Sequence, residues 1–86
     1  MKIRVVITGR NYHTTQHLPE EIMLGELATV DDAITKLVSL LPAGQGFPPS
    51  CLVAVAGRHL GTIARHESCR LHEGDELTLI APMAGG

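Results

Sequence analysis

The chain has no tryptophan, one tyrosine and one phenylalanine among its 86 residues. A core with so few aromatic rings must be assembled from Val, Ile, Leu and Ala. A chain of this length hides only roughly 60–65% of the surface its unfolded form exposes. Its few core side chains are needed for packing, which argues against a large enclosed active-site pocket and against an enzyme that works alone.

Basic excess is also missing. Seven Lys and Arg stand against nine Asp and Glu, for a net charge of −2. A nucleic-acid binder draws most of its affinity from neutralising phosphates, and here only Tyr12 and Phe47 could stack on bases, so nucleic acid is not expected as a partner. Two cysteines, Cys51 and Cys69, form no CxxC pair and are too few for a disulfide framework; Cys51 reads as a small core residue. No stretch approaches the roughly 20 apolar residues of a membrane span, so no membrane association is expected. The opening MKIRVVITGR has too short an apolar run for a signal peptide and carries Arg4 inside it, so the expected location is the cytoplasm.

What remains is a sequence of short, readable elements. Ile3, Val5 and Ile7 alternate with Lys2, Arg4 and Thr8, the period of a strand with two faces, over residues 2–8. Residues 21–28 suit a second strand, weakened at Gly25. Thr29 is placed to cap a helix, with Asp32 three residues on as a short version of the capping-box acid. Val30, Ala33, Ile34, Leu37, Val38 and Leu41 follow at helical spacing until Pro42 and Gly44 end the run. Cys51–Ala56 reads as a buried strand, His59–Ala64 as a short one, Glu73-Gly74-Asp75 as a turn and Glu76–Ala81 as the last strand. This order suggests an α+β domain with one helix on one face of a small sheet. Residues 1–81 form the expected single domain and 82–86 a flexible tail.

The tail, Pro82-Met83-Ala84-Gly85-Gly86, suits a role outside the core. Two glycines pack nothing and lose the most entropy on ordering, yet an end without Cβ atoms fits a narrow channel. If Ile3, Val5, Ile7, Leu77 and Leu79 face the helix, then Val6, Ile80 and Leu52 or Ala54 face away. Val6, Leu52 and Ile80 are the candidate partner-binding patch. Arg58, Arg65 and Arg70 read as solvated surface that could also rim such a patch. His66, Cys69 and His72 are spaced by three, and His13 and His17 by four. Neither segment has helical periodicity, so exposed turn histidines are the better account and no metal site is expected.

Three pieces in order carry a resemblance: the opening strand Ile3-Arg4-Val5-Val6-Ile7, the helix start Thr29-Val30-Asp31-Asp32-Ala33, and the final third. That final third runs from Val53-Ala54-Val55-Ala56-Gly57 to the turn Gly74-Asp75-Glu76, the strand to Ala81, Pro82 and the terminal Gly-Gly. The sequence resembles the MoaD/ThiS family of ubiquitin-like sulfur carriers. Pro82 before a small, apolar ending looks more like the molybdopterin-synthase small subunit than the thiamin carrier. Two stretches depart from the family: residues 9–20, and Val55-Ala56-Gly57 in place of the usual Val-Asn-Gly.

The resemblance implies a β-grasp fold, with a mixed sheet of four to five strands and one main helix. It implies that Gly86 is the reacting residue, whose carboxylate an adenylating enzyme of the ubiquitin-activating type couples to AMP. A sulfur donor then forms a thiocarboxylate, and Pro82, Met83, Ala84 and Gly85 enter the channel of an acceptor such as the large subunit of molybdopterin synthase. ATP and Mg²⁺ would belong to the activating partner, and this chain would bind no cofactor. Two other readings stay open: a carrier for thiamin or another sulfur-containing product, and a ubiquitin-like modifier or binding module with no sulfur chemistry.

Overall fold

The computed structural model describes residues 1–8, 18–44 and 46–81. Strand β1 is Lys2–Thr8, β2 Glu21–Met23, helix α1 Val30–Ser39, β3 Leu52–Val55, β4 Arg58–Thr62 and β5 Glu76–Ile80. The strands make one sheet in the order β2-β1-β5-β3-β4. β1 pairs in parallel with β5, and the other three pairings are antiparallel. A hairpin, a crossover helix, a second hairpin and a last strand inserted at the centre make this a β-grasp α+β fold.

The pattern of apolar residues decides which face the helix covers. Ile3, Val53, Leu77 and Leu79 are fully buried, Val5 and Val55 nearly so, and all six join Val30, Ala33 and Leu37 of α1 in one cluster. Each large aliphatic buried this way contributes roughly 1.5–3 kcal/mol. Leu41 and Phe47, just beyond the helix, extend the cluster, and Ile34 and Ile7 pack on its rim. No polar or charged side chain is buried among the described residues. Cys51 sits in this core, and burial pushes its thiol pKa up.

Local chemistry sets the ends of the elements. Thr29 caps α1 with a reciprocal box: its hydroxyl accepts from the Asp32 amide and the Asp32 carboxylate accepts from the Thr29 amide. The helix closes at Leu40, one residue before the last expected apolar position. β2 is shorter than its sequence suggests, three residues rather than eight, because the Ala28 amide folds back on the Gly25 carbonyl to make a turn. β4 ends at Thr62 instead of Ala64, where Thr62 and Arg65 exchange backbone hydrogen bonds.

The β3–β4 hairpin has two loop residues, Ala56 and Gly57, with φ of 51° and 80°. Two left-handed residues in succession are what a type I′ turn needs, and they match the twist of the flanking strands. Alanine pays a steric penalty there, because its Cβ crowds the following carbonyl, at about 1–2 kcal/mol. Ala56 is exposed. Ala56→Gly is therefore expected to raise unfolding free energy by about 1 kcal/mol, and Ala56→Asn by somewhat less, in urea denaturation. Gly61 is the opposite case. It has φ of 135°, and a Cβ would lie 2.4 Å from the Arg65 carbonyl oxygen. Gly61→Ala is expected to cost about 2 kcal/mol or more in the same assay.

Candidate functional site

The parallel pairing of β1 and β5 determines where the tail begins. The register runs Arg4 with Glu76, Val6 with Thr78 and Thr8 with Ile80. The pairing continues one residue further, since the Ala81 amide donates to the Thr8 carbonyl at 2.8 Å. Ala81 is itself buried. The last described residue is thus held against the central strand. Pro82, Met83, Ala84, Gly85 and Gly86 lie outside the described residues.

The sheet face opposite the helix is organised in rows by that register. Thr8, Ile80, Leu52 and Thr62 form the row beside the point where the tail starts. Val6, Thr78, Ala54 and His59 form the next. Leu52 is 41% exposed, Val6 and Ile80 are half-buried, and Ala54 is buried. Neither row contains an acidic residue, a lysine or an arginine. Charge begins one row further on, where Arg4 lies between Glu21 and Glu76. Lys2 and Arg4 pair there with Glu21 and Glu76 at 3.1 and 3.9 Å, exposed contacts worth little each. The three candidate patch residues, Val6, Leu52 and Ile80, therefore share one surface without acidic residues, lysine or arginine, beside the point where the tail starts. Three threonines complete it. They were not singled out from sequence, although Thr8 and Thr78 occupy the outward positions of alternating strands.

The arginines do not flank this surface as a group. Arg58 lies at the hairpin end of β3, opposite Val55, and pairs with Glu67 at 2.9 Å. Arg70 donates to the Glu26 carbonyl at 3.5 Å, and Arg65 is exposed in the turn after β4. No group of three or more His, Cys, Asp or Glu residues suited to a metal occurs among the described residues. His13 and His17 lie outside them. His72 is exposed and 3.7 Å from Asp75. His66 corrects the expectation of an exposed turn histidine: its side chain is 10% exposed and sits 2.8 Å from Asp31. Asp31 lies 35 residues away in sequence, so no local pattern announces this contact.

The alternation of the two faces has a direct consequence for mutation. Replacing Leu52 by Asp adds charge to an exposed position and is expected to change stability by less than about 1 kcal/mol. Leu79, which pairs with the neighbouring Val53 and points to the other face, is fully buried. Leu79→Ala should cost about 2–5 kcal/mol. Urea denaturation monitored by far-UV circular dichroism measures both.

Among the described residues no helix is long and apolar enough to cross a membrane. Neither a curated protein nor a solved structure matches the chain. A family model does, the one described as ThiS family, over residues 5–86. That span takes in the whole sheet except the first residues of β1, and it reaches the terminal Gly-Gly. Proteins of this family are small sulfur carriers, not enzymes, and work with adenylating and acceptor enzymes. With its β-grasp sheet and its match through Gly86, the chain belongs to the ThiS family of sulfur carriers.

Proposed function

We infer that this chain carries sulfur as a thiocarboxylate on Gly86, and that it serves molybdopterin formation as the non-catalytic small subunit of a molybdopterin synthase. The observation that carries the sulfur-carrier reading is the family match running through residue 86. The ending Pro82-Met83-Ala84-Gly85-Gly86 favours the molybdopterin branch.

A carboxylate is a poor electrophile at neutral pH. An adenylating enzyme of the ubiquitin-activating type overcomes this with ATP and Mg²⁺, which it binds itself. The Gly86 carboxylate oxygen attacks the α-phosphorus, pyrophosphate leaves, and the acyl-adenylate has a good leaving group. Hydrosulfide supplied by a donor then attacks the acyl carbon, the carbon–oxygen bond to AMP breaks, and AMP and a proton leave, so the C-terminus becomes a thiocarboxylate. Full extension of the five tail residues reaches at most about 17 Å, far enough for Gly86 to enter a partner's active site while the sheet stays outside. The anchored Ala81 gives that reach a defined origin. Val6, Leu52 and Ile80, together with their threonine neighbours, form the docking face. All of this takes place in the cytoplasm, where thiols and thiocarboxylates persist.

A second reading is a carrier for thiamin, favoured by the description of the matching family model. The chemistry on Gly86 is shared, and only the acceptor differs.

Intact mass tests the shared step. Incubation with a candidate activating enzyme, ATP, Mg²⁺ and a sulfur donor is expected to give an oxygen-to-sulfur mass increase. A variant lacking Gly86 should remain folded and show no increase; full conversion of that variant would refute the role of Gly86. Attachment to a lysine amine instead would identify a protein modifier. Supplying the thiocarboxylated chain to each acceptor enzyme with its precursor then distinguishes the two branches. Ile80→Asp is expected to weaken binding to the cognate acceptor by about tenfold or more, the equivalent of roughly 1.4 kcal/mol, measured by calorimetry.

A further inference from the structure

His66 stands apart from the other described histidines. His59 and His72 are exposed, whereas the His66 side chain is 10% exposed and both of its ring nitrogens are engaged. Nδ1 lies 2.8 Å from the Thr62 carbonyl oxygen, and Nε2 lies 2.8 Å from Asp31 Oδ1. A backbone carbonyl and a carboxylate only accept hydrogen bonds. A neutral imidazole has a single N–H, so one of its nitrogens would turn a lone pair toward an oxygen at hydrogen-bonding distance. Only the imidazolium donates to both.

The two acceptors belong to different parts of the fold. Asp31 is in the first turn of α1. Thr62 ends β4 and begins a strap over residues 62–67 that folds back along the outer edge of that strand. The strap is held to the sheet side by the Thr62 amide to the Arg65 carbonyl at 2.8 Å, the Ile63 amide to the Cys51 carbonyl at 2.8 Å, the Ala64 amide to the Pro49 carbonyl at 3.0 Å and the Glu67 amide to the Leu60 carbonyl at 3.0 Å. None of these four bonds reaches the helix; the His66 ring does, alongside the bond just beyond the strap from the Val30 amide to the Cys69 carbonyl at 2.9 Å. We propose that His66 is a proton-operated latch: the protonated ring clamps the 62–67 strap to the first turn of α1, and loss of the proton releases it.

The charges around the ring support this assignment. From α1, Asp31 faces the ring, while the Asp32 carboxylate is turned into its own helix cap. On the strap, Arg65 and Glu67 flank His66 in sequence, and Glu67 is paired with Arg58 from β4 at 2.9 Å. Burial alone would lower the His66 pKa, but the Thr62 carbonyl and the Asp31 carboxylate outweigh it and hold the pKa above the ordinary histidine value. A folded-state pKa above the unfolded one stabilises the chain fully below the unfolded value, about 6.5. That stabilisation is lost as pH rises through the folded value. Thr62 lies opposite Leu52, so the latch fixes the strand end that borders the uncharged face.

An NMR pH titration of the full chain tests the latch, with the same chain unfolded in urea as the reference. The His66 ring is expected to titrate at higher pH in the folded chain than in the unfolded reference. Asp31→Asn should move its midpoint down toward that reference. A companion measurement compares urea unfolding of the wild type and His66→Asn from about pH 6 to 8.5. The wild type should be more stable at the acid end, with the gap closing as pH rises. Protection of the Glu67 amide from hydrogen exchange, corrected for intrinsic rate, should fall over the same range in the wild type only. A His66 midpoint at or below that of the unfolded reference would overturn the proposal. So would a midpoint that Asp31→Asn leaves in place, or a pH-independent stability gap.

Discussion

The structure depends on the pairing of its first and last strands. β1 and β5 run parallel at the centre of the sheet, and five residues of each are in register, from Arg4 with Glu76 to Thr8 with Ile80. Parallel neighbours cannot be joined by a tight turn, so everything between them must leave the sheet and return. The helix is part of that detour, and the fully buried Ile3, Leu77 and Leu79 are the surface it covers. The same pairing brings the N-terminal strand and the start of the C-terminal tail to one place. A chain with little room for an internal pocket is thereby organised around a defined exit point.

The sheet's two faces differ in chemistry. The covered face is aliphatic and holds the fold together. The open face is graded: two rows next to the exit carry no acidic residue, lysine or arginine, and the ion pairs of Lys2 and Arg4 lie beyond them. Aliphatic groups are cheap to desolvate on docking, hydroxyls cost more unless they find a hydrogen bond, and charged groups cost most. On the docking proposed above, a partner would meet the low-cost part of the surface first, with the charged row left at its edge. The arginines near β4 are occupied by Glu67 and by the Glu26 carbonyl, which removes them from that gradient.

Much of this was legible in sequence wherever the cause is local. Alternation in residues 2–8 and 76–81 separated Ile3, Val5, Leu77 and Leu79 from Val6 and Ile80. Thr29 and Asp32 announced the helix cap, and Gly74-Asp75 announced the turn before β5. The family resemblance, and the molecular role it implies, came from the same short motifs. Misjudged positions involve partners distant in sequence or backbone angles. β2 stops early because a turn at Gly25–Ala28 competes with the strand. His66 looked like one of several turn histidines because its carboxylate partner sits on the helix. The threonines of the open face carried no signal alone and gained one only when three strands aligned them.

Residue type and spacing by themselves determined most of the elements and the face each strand turns to the core. These follow from side-chain periodicity and backbone preference, which act over a few residues. Only the tertiary structure decided the row in which Ile80 meets Leu52, the anchoring of Ala81 on Thr8 and the ring of His66 between Thr62 and Asp31. Each of these depends on strand register and chain return, and those are set by burying the aliphatic face of the whole sheet at once.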